Sequence, residues 1–174
     1  MSEDRKKIVT ALQQKNILTE SLALDAVRVV QGKLAPIPFI EKVTRESTNE
    51  DCLHCGGQPF CRLFLAVAYL ELDALSMAKL LAGEAIEGFR IRGMNWNQAL
   101  SHWLLGVILL QEGNTESAQR ALKKALEMLE RLLRESRLES KNKQARECKE
   151  YINLIEKSLS KISRLARKRS PLSP

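Results

Sequence analysis

The chain has 174 residues, 44% of them hydrophobic and 28% charged, which is enough apolar material for the core of one folded domain. This composition excludes disorder along the whole chain. No apolar run approaches the roughly eighteen residues that cross a bilayer, and the first residues are too hydrophilic for a secretory signal, so we expect a cytoplasmic protein without membrane contact. The formal net charge is +7, and the basic residues concentrate in 131–174, which hold thirteen Lys and Arg against five Glu.

Apolar side chains recur every three or four residues along most of the chain, which is the spacing of amphipathic helices. No stretch alternates as a strand does. We therefore predict an all-α fold. Thr19 and Thr115 suit helix N-caps, and Gly32 and Gly93 suit helix C-caps. The predicted helices lie at about 4–15, 20–32, 60–72, 75–91, 98–111, 115–136 and 142–167.

Two stretches share one pattern of small residues, forty positions apart. The first has Leu65-Ala66 followed by Ala78, Ala82 and Ala85. The second has Leu105-Gly106 followed by Ala118, Leu122 and Ala125. A small side chain on each of two antiparallel helices lets the helices approach closely, while larger neighbours fill the groove between them. The pattern predicts two helical hairpins stacked one after the other.

With its turn at Gly113-Asn114, the second unit resembles a tetratricopeptide repeat, and the first resembles one with Asp73 where the turn glycine is usual. The forty-residue period exceeds the thirty-four of the standard repeat, and we place the extra length around 91–97. This longer form resembles the repeats of bacterial signalling and regulatory proteins. The resemblance implies a short right-handed superhelix of hairpins. It also implies a non-enzymatic adaptor or regulatory subunit that binds a partner polypeptide.

The chain divides into five predicted parts. In the N-terminal helical part, Ala11 and Ala23 repeat the twelve-residue spacing, so this part is either a degenerate repeat or a separate small helical domain, joined to the repeats by 34–49. A cysteine-rich loop, the two repeats, a long amphipathic basic helix and a disordered tail follow. The five ranges are 1–50, 51–61, 60–136, 137–168 and 169–174.

In tetratricopeptide arrays, the first helix of each hairpin lines a groove that holds a partner's polypeptide. The resemblance assigns eight positions to this groove, which we call the apolar wall: Phe60, Leu63, Val67, Leu70, Leu100, Trp103, Val107 and Leu110. Covering eight large apolar side chains is worth on the order of 10 kcal/mol, so we expect polypeptide to lie against the wall. Trp103 is the expected anchor because buried tryptophans often dominate such contacts, although it also fits a plain core position.

The last predicted helix offers a cover for the apolar wall, because its apolar residues follow a three-four spacing. They are Ala145, Cys148, Ile152, Ile155, Leu159, Ile162 and Ala166, with Tyr151, Leu154 and Leu165 beside them. In one interpretation this helix caps its own chain, as terminal repeats generally require. In the other it pairs with a second copy or another protein, since the spacing also suits a coiled coil.

Cys52, Cys55 and Cys61 flank a Gly-Gly pair, and cysteines at such spacing can wrap a metal ion. A closed zinc site needs a fourth ligand. The available side chains are His54, His102 and Cys148. An iron–sulfur cluster, a redox-active cysteine pair and ordinary free thiols are the other interpretations. The cysteine pattern alone therefore does not establish a cofactor, and zinc is the candidate metal.

The basic end of the chain suggests phosphate contacts and, as an alternative function, a nucleic-acid-associated regulator. The basic patch consists of Lys161, Arg164, Arg167, Lys168 and Arg169. No aromatic platform or recognition helix accompanies it, so we do not expect base-specific binding. The two histidines, His54 and His102, lack a nucleophile or an orienting carboxylate in any recognisable motif. We therefore expect a protein that is not an enzyme.

Overall fold

The computed structural model describes residues 20–47, 58–138 and 141–169, with side chains at 22–47, 58–138 and 141–164. These residues form seven helices and no strand, so the predicted all-α class is confirmed for them. The first predicted helix, 4–15, lies outside the described residues. The observed helices are α1 (Glu20–Val30), α2 (Pro36–Ser47), α3 (Gln58–Glu71), α4 (Leu75–Ile91), α5 (Asn95–Gln111), α6 (Thr115–Leu138) and α7 (Asn142–Arg169).

Helix α2 lies in the connecting segment 34–49, for which no helix was predicted. Pro36 is its first residue, a position that suits proline because the fixed φ is helical and the missing N–H would have no helical partner there. Phe39 and Val43 anchor the helix in the core, with exposures of 1% and 0%. Pro36 and Pro38, a residue type that often marks a break between helices, therefore lie in the first turn of one.

The turns after α3, α4 and α5 have the same structure and are spaced twenty residues apart. Asp73, Gly93 and Gly113 occupy the left-handed region, with φ of 59°, 64° and 83°. In the first turn, the N–H of the residue after Asp73 donates to the carbonyl five residues back at 2.9 Å, and the other two turns repeat this bond at the same length. The predicted glycine C-caps are therefore confirmed at Gly93 and also at Gly32, whose φ is 69°.

Two local predictions were wrong. The extra repeat length does not form a loop at 91–97, because α4 ends at Ile91 and α5 begins at Asn95. The additional residues instead lengthen the helices. Thr115 is not the N-cap of α6, since the Oδ1 atom of Asn114 accepts the Ser117 N–H at 3.1 Å. An asparagine carboxamide at that position satisfies one of the free N–H groups of the first turn.

Each helix packs against the next along the chain, and α1 and α2 both pack against α3. Small residues set the close approaches. A Cβ atom on Gly106 of α5 would lie 2.7 Å from the Leu122 side chain of α6, and one on Gly88 of α4 would lie 2.7 Å from Pro59 of α3. Gly106 thus performs the role that the repeat pattern predicted, whereas the role of Gly88 was not foreseen.

These contacts predict opposite effects for two glycine-to-alanine substitutions. Gly106→Ala should lower the free energy of unfolding by about 1–3 kcal/mol, because the fully buried Leu122 has no free space into which to move. Gly83→Ala should raise it by about 0.5–1 kcal/mol, since no atom lies within 4 Å of its Cβ position and alanine favours the helix. Urea unfolding of both variants checks this, and equal shifts in one direction would contradict it.

Candidate functional site

The apolar wall is covered by the protein's own chain. Trp103, Leu63 and Leu100 are completely buried, and four more of its residues have exposures of 1–4%. Only Leu110 is half-buried. The expectation that polypeptide must cover these side chains therefore holds, but the wall lies in the core, so a partner does not reach it in this conformation. A partner-binding role for these eight residues stays a prediction that would require helices to separate.

Helix α7 contributes the cover over Trp103. The Tyr151 ring lies 5.8 Å from the Trp103 ring and 5.5 Å from the Trp96 ring, measured between centroids. Tyr151 is 5% exposed, and α7 packs along α6. Among the α7 side chains that the structure describes, the buried ones are Ala145, Cys148, Tyr151, Ile155, Ser158 and Ile162. Compared with the stripe predicted from spacing, Tyr151 and Ser158 replace Ile152 and Leu159 at its centre, which are half-buried.

Several polar side-chain atoms are buried in or next to this contact between tryptophan and tyrosine rings. The Trp103 Nε1 and Asn97 Nδ2 atoms are buried without a hydrogen-bond partner among the described residues, and leaving such donors unsatisfied costs about 1–3 kcal/mol each. Burial, and secondarily the negative charges of Glu150 and Glu147, raises the pKa of Tyr151 to about 12. Tyr151 is thus a neutral phenol held between two indoles.

A different face of α3 and α5 points outward. The half-buried side chains on α3 include Gln58, Arg62 and Tyr69, and their counterparts forty residues later include Gln98 and His102. We call the two rows the outer stripes: Gln58, Arg62, Leu65 and Tyr69 on α3, and Gln98, His102, Leu105 and Leu109 on α5. At 100° per residue they lie on nearly the opposite side of each helix from the apolar wall. Reasoning from the resemblance missed this face.

The outer stripes carry different charges in the two repeats. Arg62 of α3 pairs with Glu84 of α4 at 3.1 Å, where both side chains are about two-fifths exposed. Forty residues later, His102 and Lys124 occupy the same two positions, so a second basic group stands in place of the carboxylate. Burial, followed by the positive charge of Lys124, lowers the pKa of His102. Lys124 also pairs with Glu127 of its own helix at 3.6 Å. The second repeat therefore offers hydrogen-bond donors and a partly balanced positive charge at a point where the first repeat has an arginine–glutamate pair.

The cysteine cluster lies only partly within the described residues. Cys52 and Cys55 are outside them, while Cys61 is buried in the first turn of α3 and Cys148 is buried on α7. Across the described ranges, no three His, Cys, Asp or Glu side chains come together as a metal site. The zinc site stays a prediction, because two of its three cysteines are not described.

The basic patch is also partly described. Lys161 and Arg164 are exposed on α7, and the remaining three residues lie on its last turn, where side chains are not described. A surface depression of about 550 Å³ runs along the same helix face. The described residues that line it are Asn153, Glu156, Lys157, Ser160, Lys161 and Arg164. The depression thus mixes one carboxylate with three cations.

Comparison with known proteins finds no matching family, no similar curated protein and no similar solved structure. Among the described helices, none combines the length and apolar character needed to cross a membrane. The differences in charge and exposure between the hairpin α3–α4 and the hairpin α5–α6 are therefore the main guide to function.

The raised pKa of Tyr151 predicts a pH dependence of stability. Below about pH 10 the phenol is neutral in both the folded and the unfolded chain. Between about pH 10 and pH 12 the unfolded phenol loses its proton while the buried one keeps it, so the free energy of unfolding falls. Tyr151→Phe should lack this part of the alkaline loss, as denaturant titrations of both proteins from pH 8 to pH 12 can measure. If the free energy of unfolding fell equally with pH in the two proteins, Tyr151 would not be buried as a neutral phenol.

Proposed function

We propose that this protein is a non-enzymatic, tetratricopeptide-like interaction module, an adaptor or regulatory subunit, that holds another polypeptide along the outer stripes of α3 and α5. The observation that carries the proposal is the repetition of these stripes at a forty-residue interval, in which every side chain except the buried Leu65 and Leu109 is half-buried. Two helices with matching outward rows can contact one extended chain at regularly spaced points.

The chemistry of the outer stripes suits a peptide. Gln58, Gln98 and Tyr69 provide groups that donate and accept hydrogen bonds, as a peptide backbone requires, and the half-buried Leu105 adds an apolar contact. Gln58 and Tyr69 are eleven positions apart, which corresponds to about 16 Å along the helix. This length accommodates about five residues of an extended chain. A surface of this size fits a short linear segment of a partner.

The charge distribution favours an acidic partner. His102 and Lys124 stand where the first repeat has an ion pair, and α7 carries nine Lys and Arg against three Glu. A carboxylate from the partner beside His102 and Lys124 would reproduce the Arg62–Glu84 pairing seen in the first repeat. Opposite charges at such a surface also raise the association rate.

The binding test compares two substitutions of equal charge on one helix. Lys124→Glu places an internal carboxylate beside His102, as Glu84 lies beside Arg62, and should remove partner capture from native lysate. Lys123→Glu makes the same charge change at a neighbouring exposed position and should leave capture largely intact. Quantitative mass spectrometry of both pull-downs measures the difference. Equal capture by both variants, or equal loss, would contradict binding at the outer stripes.

A second candidate function is phosphate binding by α7 in a nucleic-acid-associated regulator. The observation that favours it is the row of Lys157, Lys161 and Arg164, spaced so that the three exposed cations share one helix face. Such binding would weaken steeply with salt, and nuclease treatment of the lysate separates it from peptide capture. A metal- or redox-responsive switch at Cys52, Cys55 and Cys61 is the third candidate.

A further inference from the structure

The outward side of α7 carries basic residues over most of the described part of this helix. They follow one another at steps of three, four and eight positions, which keeps them on the side of the helix opposite the buried Ile155. The first and the last are eighteen positions apart, which corresponds to about 27 Å along the helix. We call these five exposed residues the α7 basic row: Arg146, Lys149, Lys157, Lys161 and Arg164.

Carboxylates of the described residues do not neutralise the α7 basic row. None of its five cations has an ion-pair partner among those residues, although Glu150 and Glu156 lie on the same helix. By contrast, seven cations on the preceding helices do pair with carboxylates, as Arg62 does with Glu84 at 3.1 Å. The row therefore presents positive charge that the fold does not use for its own ion pairs.

The surface between these cations is polar. The exposed side chains there are Glu150, Asn153, Glu156 and Ser160, while the half-buried aliphatic residues of α7 pack against the core. Tyr151, the single aromatic residue of α7, is buried against Trp103. Protein partners are held mainly by buried apolar and aromatic anchors, and an amphipathic helix enters a membrane through an apolar face, which α7 has already buried in the core. The α7 basic row instead offers a ligand charge and hydrogen bonds.

A line of phosphates is the ligand that suits such a surface. Nucleic acid that is bound without base reading is held by the charge of its phosphates, and amide side chains such as that of Asn153 also contact phosphates. Single strands are bound largely through bases that stack on aromatic rings, and the row has no such ring. A duplex carries one charge for about every 1.7 Å of its axis, twice the density of one strand. The duplex therefore matches a row that works by charge alone.

We propose that the α7 basic row binds the phosphate backbone of double-stranded nucleic acid without reading its sequence. The inference rests on the phosphate binding given above as the second candidate function, and it names the ligand. The surface depression of about 550 Å³ lies on the same side of α7, and its lining includes Lys157, Lys161 and Arg164. Phosphate groups can therefore approach these three cations closely.

Fluorescence anisotropy of labelled nucleic acid tests the proposal with the intact protein. The probe is a mixed-sequence duplex of about 24 base pairs, which is about three times as long as the row. Wild type should bind it at about 50 mM salt, and the logarithm of the affinity should fall with the logarithm of salt concentration at a slope of about −3 to −4.5, as expected for three to five phosphate contacts. Separate titrations with duplex DNA and duplex RNA show which of the two binds more tightly.

The variant Lys157→Gln/Lys161→Gln/Arg164→Gln removes three charges from the row while keeping long polar side chains on the exposed side of α7. It should bind the duplex at least about tenfold more weakly, with a salt slope smaller by about 2–3. Circular dichroism of the variant should match that of wild type, because none of the three side chains is buried.

The matched control is Lys33→Gln/Arg45→Gln/Arg92→Gln, which removes the same charge at three exposed positions outside α7. It should bind the duplex almost as tightly as wild type. Equal binding by the two variants would overturn the proposal. So would vesicles rich in phosphatidylserine, or poly-glutamate, binding as tightly as the duplex at the same salt concentration, since these results would indicate a membrane surface or an acidic protein.

A single strand of the same length separates the ligand from the underlying function. If it binds as tightly as the duplex and the α7 variant weakens both, phosphate binding by α7 stands and the choice of a duplex is wrong. If neither nucleic acid binds at low salt, both the inference and the second candidate function are wrong. Weaker binding of the single strand than of the duplex is the result that the proposal predicts.

Discussion

An apolar surface on two consecutive hairpin helices must be covered, and most of this structure follows from that constraint. The side chains of the wall on α3 and α5 are large, so leaving them in water would cost on the order of 10 kcal/mol. Helices α1 and α2 pack on α3, and α7 brings Tyr151 against Trp103 and Trp96. The chain thus uses its flanking helices to enclose the two central hairpins, and the wall becomes core.

Enclosing the wall determines which surfaces are left for function. The outer stripes stay partly accessible, since all their side chains except Leu65 and Leu109 are half-buried, and they carry polar groups with an uneven charge between the repeats. Helix α4 also keeps Met77, Leu80 and Ile91 exposed, so enclosing the wall leaves both polar and apolar surface open.

Periodicity in the sequence predicted six described helices to within three residues at each end, because apolar spacing and the left-handed turn residues are local signals. The small residue Gly106 also correctly marked a close approach between α5 and α6. The open side of α3 and α5 could not be predicted in this way. Both helices are apolar almost all round, so spacing does not distinguish their faces, and tertiary packing decides which face is covered. Helix α2 was not predicted because Pro36 and Pro38 are typical of a break between helices.

The enclosure of the wall can be tested on the unmodified protein, since Trp96 and Trp103 are its only tryptophans and have exposures of 7% and 0%. The measurement is acrylamide quenching of tryptophan fluorescence in the native state. Enclosure predicts blue-shifted emission and a quenching constant far below that of free tryptophan, rising to the free value on unfolding in denaturant. Red-shifted native emission with quenching like that of free tryptophan would contradict the account.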